Sequence, residues 1–113
     1  MVEKELIMYS RVAPCPDCSR AKRLLQELEI PFQEKLIDRD PAARELVVGL
    51  TGHQSVPTMV IARPGELSPF PDPKPLEKGR SPRGVDRGTV LTEPDMITLR
   101  QWLNSHGFIT PKS

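Results

Sequence analysis

The chain has 113 residues, of which 37% are hydrophobic and 27% are charged, and its 16 basic and 15 acidic side chains leave a net charge of +1. This length suits one domain rather than two, and the balanced charge excludes the basic excess typical of nucleic-acid-binding proteins. No apolar run approaches the roughly 18 residues of a membrane span, and no signal peptide is visible at the N-terminus. We therefore expect a cytoplasmic protein that binds neither nucleic acid nor membrane.

The first half of the chain predicts two strand–helix pairs. An apolar strand over 5–9 is followed by a helix over 16–29, in which apolar residues recur at helical spacing. A second strand covers 32–37. Asp40 is predicted to cap a second helix, which Gly52 would end in a left-handed conformation.

The second half predicts a buried strand, a proline-rich segment, and then a short strand and a helix. The strand over 58–62 is apolar on both faces and is expected at the centre of a sheet. Six of the 13 prolines lie in 63–88, which we expect to be a solvated, mobile loop inserted in a single domain spanning 1–113. A strand at 89–91 precedes a helix that begins with Thr92 in a capping box.

The alternation of strands and helices predicts an α/β fold. Helices between the first three strands favour parallel pairing of those strands, whereas the third and fourth strands could pair antiparallel across the insertion. In the last helix, Trp102 lies at helical spacing with Leu99 and Leu103, so we expect it in the core.

The two cysteines, Cys15 and Cys18, are separated by Pro-Asp. A permanent disulfide explains this spacing poorly, because so short a loop adds only about 2 kcal/mol and cytosolic thiols are kept mostly reduced. A closed zinc site needs four ligands, and the two histidines, His53 and His106, lie far away in the sequence, so we expect no metal. A reversible dithiol–disulfide couple at the start of a helix is the favoured interpretation.

The predicted position of Cys15 is the junction of the first strand and the first helix. The N–H groups and partial positive charge of a helix N-terminus stabilise a thiolate and can lower a thiol pKa from ~8.5 to ~3.5–7.5. We expect Cys15 to attack a substrate disulfide and Cys18, one turn further and more covered, to resolve the mixed disulfide. Asp17 opposes the thiolate while neighbouring basic residues favour it, and the sign of that sum is open.

The segment from Tyr9 to Lys22, with its Cys-Pro-Asp-Cys, and Ser55-Val56-Pro57-Thr58 before the third strand resemble the glutaredoxin family. The resemblance covers 4–62 and resumes at about 89–107. It implies a thioredoxin-like, three-layer α/β/α sandwich with a four-stranded mixed sheet and the insertion between strands three and four. It also implies a cis bond before Pro57, which faces the sulfurs and leaves the Val56 backbone free to pair with a substrate cysteine.

The resemblance leaves the reductant open. Arg11 stands about where glutaredoxins have a basic residue before the first cysteine. Asp95 is either the acidic residue that holds the glutathione amino group or simply a helix cap. Asp17 replaces the aromatic residue usual in glutathione-using members, while 94–97 is similar to the redoxins that serve ribonucleotide reductase and take electrons from thioredoxin reductase.

These observations predict a monomeric enzyme that reduces protein or glutathione mixed disulfides and needs no tightly bound cofactor. Its partners would be disulfide-containing proteins, and either glutathione as cosubstrate or a thioredoxin-reductase-type reductant. The candidate site residues are the catalytic Cys15 and Cys18 and the substrate-binding Arg11, Val56, Pro57 and Asp95. The alternative is a non-catalytic thioredoxin-fold module that binds a metal or an iron–sulfur cluster through the cysteine pair. A second question is whether the insertion borders the site and selects protein partners.

Overall fold

The computed structural model describes residues 4–109. Each predicted strand and helix is present, with ends within two residues of those expected except at the start of the last helix, which begins three residues later than predicted. No helix in the described part of the chain is long and apolar enough to span a membrane. The elements are, in order, β1 (Glu5–Ser10), α1 (Pro16–Glu27), β2 (Gln33–Leu36), α2 (Pro41–Thr51), β3 (Thr58–Ala62), β4 (Val90–Thr92) and α3 (Met96–Ser105).

The four strands form one mixed sheet in the order β2-β1-β3-β4. β1 and β2 are parallel, whereas β3 is antiparallel to both β1 and β4. The expectation that β3 runs parallel to the first strands is therefore wrong. β3 begins at the end of the sheet where β1 finishes, so that Thr58 lies opposite Tyr9. This direction brings Pro57 to the same end of the sheet as the loop after β1.

Apolar side chains cover both faces of the sheet and form two core layers. Burying one large apolar side chain contributes about 1.5–3 kcal/mol, so these layers are the main source of stability. One layer joins the sheet to α1 and α3 through Leu6, Met8, Leu24, Leu25, Met59, Ile61, Leu91, Leu99, Trp102 and Leu103. The other joins it to α2 through Ile7, Tyr9, Ile37, Ala43, Val47, Val60 and Val90. The predicted three-layer, thioredoxin-like sandwich and the central position of Trp102 are confirmed.

Local signals set the helix ends, with one difference from prediction. Asp40 caps α2 by accepting hydrogen bonds from the first-turn N–H groups, and Gly52 ends that helix at φ 79°. The N-cap of α3 is Asp95, whose carboxylate accepts from the Thr98 N–H at 2.7 Å. Thr92 is not a cap, because it ends β4 in register with Thr58.

The insertion, residues 63–88, is held against the sheet at both of its ends. The Phe70 N–H donates to the Ile61 carbonyl at 2.9 Å, and the Gly84 N–H donates to the Thr92 carbonyl at 2.7 Å. Most of its side chains are exposed, but Pro82 is buried. The segment is thus largely exposed, but backbone hydrogen bonds attach it to β3 and β4.

One buried arginine anchors the insertion to the rest of the molecule. Arg87 is only 8% exposed, and its guanidinium donates to the carbonyls of Lys74 and Leu50. The next residue, Gly88, accepts a 2.8 Å hydrogen bond from the indole of Trp102. These contacts tie the end of the insertion to α2 and α3.

Candidate active site

Both cysteines lie at the N-terminus of α1 and form a disulfide with a Cα–Cα distance of 5.2 Å. Cys15 is the N-cap residue, in an extended conformation, and Pro16 takes the first helical position. The Cys18 N–H donates to the Cys15 sulfur at 3.1 Å. Cys15 is partly exposed, whereas Cys18 is 6% exposed. The two cysteines therefore differ in their access to solvent.

The loop before β3 contains the cis peptide bond between Val56 and Pro57. It is held from both sides, because the Glu93 N–H donates to the Pro57 carbonyl at 2.7 Å and the Thr58 hydroxyl donates to the Ser55 carbonyl at 2.8 Å. Within residues 4–109, the backbone N–H and carbonyl of Val56 have no hydrogen-bond partner. Both groups are available to pair with an added strand.

Arg11 lies beside the cysteines, where its guanidinium donates to the Pro14 carbonyl at 2.8 Å. It lines a small pocket of about 200 Å³. Both cysteines line this pocket too, as do Lys22 and Glu34. Lys22 is paired with Glu34 at 3.0 Å, while Arg11 has no acidic partner in the described part of the chain. Arg11 is therefore the basic group of this pocket whose charge is uncompensated.

Asp38 is a site residue that the sequence reasoning missed. Its carboxylate accepts hydrogen bonds from the N–H groups of Val12 and Ala13, at 3.0 and 3.1 Å, and these bonds hold its pKa below the usual value. Asp38 lies two residues after the end of β2. Since β1 and β2 are parallel, the residues that follow them lie at the same end of the sheet. The predicted parallel pairing could therefore have placed Asp38 near the loop before Cys15. Asp38 thus fixes the loop that leads to Cys15.

Asp95 and Arg11 lie beside opposite faces of α1, in separate pockets. The Asp95 pocket has a volume of about 450 Å³, and its charged lining residues are Asp17, Arg20, Arg83, Glu93 and Asp95. The hydrogen bond from the Thr98 N–H lowers the pKa of Asp95, as expected for a helix cap. The two predicted substrate contacts are therefore not brought into one pocket.

Arg83 is the second residue that the sequence reasoning missed. It comes from the insertion and lies between Asp17 of α1 and Glu93 of the β4–α3 turn. The sequence left open whether Asp17 or the nearby basic residues have the larger effect on a Cys15 thiolate. The negative charge of Asp17 is partly offset, because Arg20 and Arg83 both pair with that carboxylate. The mixed charges of the insertion gave no sign that one of them reaches Asp17, between the two cysteines in sequence.

The histidines lie outside both pockets. His53 is exposed in the link between α2 and β3, and the His106 ring packs edge-on against Trp102 with 5.0 Å between centroids. Across residues 4–109, no three His, Cys, Asp or Glu side chains cluster in a way that suits a metal ion.

Comparison with known proteins assigns the family. The Glutaredoxin family model matches residues 6–63, just over half of the chain. That range includes both cysteines and Val56–Pro57 and ends where the insertion begins. Proteins named Glutaredoxin 3 from three Escherichia coli strains are each 43% identical over 47 residues, which is 42% of this chain and 57% of the relative. The match thus spans little more than half the length of each relative. The mixed sheet, the cysteine pair at the start of α1 and the matched range show that this chain belongs to the glutaredoxin family.

Proposed function

We propose that the chain is a thiol–disulfide oxidoreductase that reduces protein or glutathione mixed disulfides through Cys15 and Cys18. The observation that carries the proposal is the position of Cys15 as the N-cap of α1, partly exposed and 3.1 Å from the Cys18 N–H. In the reduced protein this amide and the helix dipole would stabilise a Cys15 thiolate. The relatives named Glutaredoxin 3 support the same chemistry.

The reaction proceeds in two exchange steps. The Cys15 thiolate attacks one sulfur of the substrate disulfide, and the other substrate sulfur leaves as a thiolate. The covered Cys18 then loses its proton and attacks the Cys15 sulfur, which releases the second substrate thiol. Two electrons have passed from the dithiol to the substrate, and the chain is left with the Cys15–Cys18 disulfide. No bound cofactor is needed, because both electrons come from the two thiols.

Substrate binding would use the loop before β3 and the two flanking pockets. The unpaired backbone of Val56 next to Pro57 would hold the residue that carries the substrate sulfur in an extended conformation. Arg11, which has no acidic partner in the described residues, would attract a carboxylate on one side. Asp95 would face the opposite side, where its carboxylate is already engaged as a helix cap.

A trapping experiment tests the roles of the two cysteines. Cys18→Ser is incubated with a peptide that carries a glutathione mixed disulfide, and the product is analysed by mass spectrometry. We expect a covalent adduct on Cys15, because the resolving thiol is missing. Cys15→Ser serves as the matched control and should give no adduct. An unmodified Cys18→Ser protein, or equal turnover by Cys15→Ser, would contradict the proposal.

A second experiment separates the proposal from its alternative and identifies the reductant. Turnover is measured once with glutathione and its reductase and once with thioredoxin reductase, and we expect one of the two systems to sustain catalysis. Anaerobically purified protein is also examined by visible absorbance and metal analysis. A bound iron–sulfur cluster together with no turnover in either system would replace the proposal with a non-catalytic binding module.

A further inference from the structure

We propose that Arg83, supplied by the insertion, is a specificity-determining residue that binds a carboxylate on the disulfide substrate. This inference rests on the proposed function and deepens it. The matched family range ends at residue 63, so Arg83 belongs to a part of the chain outside that range.

The backbone around Arg83 is held in place. The Arg83 N–H donates to the Ser81 hydroxyl at 3.3 Å, and the adjacent Gly84 N–H donates to the Thr92 carbonyl at 2.7 Å. Arg83 also forms a β-bridge with Thr92, and the preceding Pro82 is buried. The insertion therefore presents the Arg83 side chain at the end of β4, beside the turn into α3.

The guanidinium of Arg83 is oriented by charge but keeps its hydrogen-bond donors available. Its Nη2 lies 3.8 Å from Asp17, and its Nη1 lies 3.5 Å from Glu93. Both distances exceed the usual length of an N–H···O hydrogen bond, about 2.7–3.2 Å. The side chain is 64% exposed. A planar guanidinium whose N–H groups are free can donate two hydrogen bonds to one carboxylate.

Arg87 of the same insertion shows the contrast. It is 8% exposed, and its donors are engaged by the carbonyls of Lys74 and Leu50. Arg87 is thus a structural anchor. Arg83 makes no comparable side-chain hydrogen bond within residues 4–109, so anchoring the insertion does not explain its position.

The acidic side chains around Arg83 are already engaged, although they outnumber the basic ones. Asp17 is paired with Arg20, and Glu93 lies 3.5 Å from Arg83. Asp95 directs its carboxylate at the Thr98 N–H. With three acidic and two basic side chains the pocket has no positive excess, so an incoming carboxylate must bind through the free donors of Arg83 rather than through a general attraction.

The place of this pocket connects it to the reacting sulfurs. The pocket includes Asp17, which lies between the two cysteines in sequence. Its Glu93 donates a backbone hydrogen bond to the Pro57 carbonyl at 2.7 Å. A group that flanks the sulfur of a substrate held by the Val56 backbone would therefore lie beside the turn whose Glu93 contacts Arg83. The carboxylate has two chemical sources, namely glutathione itself or an Asp or Glu side chain of a protein substrate.

The test compares kcat/KM for substrates that differ only in charge. One peptide is prepared as mixed disulfides with glutathione, 2-mercaptoethanol and cysteamine, which are anionic, neutral and cationic. A second pair places Glu or Gln beside the peptide cysteine, with 2-mercaptoethanol as the other half. The wild type is compared with Arg83→Ala and with Arg80→Ala, a matched control in the same insertion whose side chain is 56% exposed and faces Glu77.

We expect Arg83→Ala to lower the ratio of anionic to neutral kcat/KM by about three- to tenfold, mainly through KM, as the loss of a charge-assisted contact requires. Arg80→Ala should leave the ratio unchanged. The ratio cancels any effect of Arg83 on Cys15 itself, since such an effect falls on all substrates alike. A loss confined to the glutathione disulfide assigns the carboxylate to glutathione, and a loss with the Glu peptide assigns it to the protein substrate.

Two outcomes overturn the inference, and they are distinguishable. An active wild type whose ratio is the same in Arg83→Ala removes the role of Arg83 and leaves the proposed function intact. A wild type that reduces none of these disulfides removes the proposed function, and the inference with it.

Discussion

The body of the molecule, residues 4–62 and 89–109, and the insertion, 63–88, are stabilised in different ways. The body has two apolar layers, one on each face of the sheet. The insertion contributes little to either layer and is held by backbone hydrogen bonds and by the buried guanidinium of Arg87. Even so, both regions line the pocket that contains Asp17 and Asp95.

The two proposals together assign the chemistry to the body and the selectivity to the insertion. The body fixes Cys15, Cys18 and Pro57 through a sheet that has an apolar layer on each face, so these residues depend on the whole core. Arg83 depends only on local pairing with the end of β4. We therefore expect changes in the apolar layers of the body to affect folding and every substrate, and changes in the insertion to affect fewer properties.

The largest effect is expected where the body is tested directly. Trp102→Ala should lower the free energy of unfolding by about 3–5 kcal/mol, because it leaves a large cavity in the core. Urea denaturation measures this change. Trp102→Phe is the control, since it keeps most of the packing and loses only the hydrogen bond to the Gly88 carbonyl, worth about 1 kcal/mol. An alanine variant as stable as the phenylalanine variant would show that the core does not depend on this side chain.

A smaller effect is expected at the anchor of the insertion. Arg87→Ala should lower the free energy of unfolding by about 1.5–3 kcal/mol, the range for hydrogen bonds to charged groups. Limited proteolysis should then cut within 63–88 while Cys15 still reacts with iodoacetamide at the wild-type rate. Arg80→Ala is the control for removing an arginine from the same segment. A loss of Cys15 reactivity in Arg87→Ala would contradict the separation of the two regions.

A third variant sharpens the comparison, because the body also uses polar contacts at the site. Asp38→Ala removes the acceptor for the Val12 and Ala13 N–H groups, so the loop before Cys15 loses its fixed geometry. We expect a severalfold slower reaction of Cys15 with iodoacetamide and little change in unfolding. Asp38→Asn keeps one acceptor oxygen, so its rate of reaction should lie between those of the wild type and Asp38→Ala. Equal rates in all three proteins would exclude this role of Asp38.

The smallest effect is expected in the acid range. The pKa of Asp95 is lowered by its hydrogen bond from the Thr98 N–H. Its contribution to stability is thus present above the unfolded-state pKa of about 3.9 and is lost as the pH falls through the folded value. Asp95→Asn still caps the helix but does not titrate. Urea denaturation from about pH 2 to 5 should give a flatter dependence for this variant, and an identical slope would contradict the assignment.

Local patterns were sufficient to predict most of the fold. The apolar run of β1, the helical spacing in α1 and the Asp40 cap each depend on neighbouring residues alone. The direction of β3 was not predictable from neighbouring residues, because it depends on the end of the sheet at which the chain enters β3 after α2. The prediction placed the cap of α3 at Thr92 because strand pairing with Thr58 cannot be read from local sequence.

The site was predictable to the same extent. Cys15, Cys18 and the cis bond before Pro57 follow from a short sequence pattern and the family resemblance. Asp38 and Arg83 reach the site only through tertiary contacts, one across parallel strands and the other from a segment of mixed charge. Residues of this kind need the three-dimensional arrangement before their contacts can be recognised.

Activation of Cys15 by the N-terminus of α1 is tested by thiol titration of reduced Cys18→Ser, in which Cys15 is the only cysteine. Thiolate absorbance in the ultraviolet is followed against pH, with unfolded protein in urea as the reference. We expect a Cys15 pKa clearly below the free-thiol value of about 8.5, because the thiolate lies at the N-terminus of α1. A pKa at or above that value in the folded protein would show that the helix does not activate Cys15.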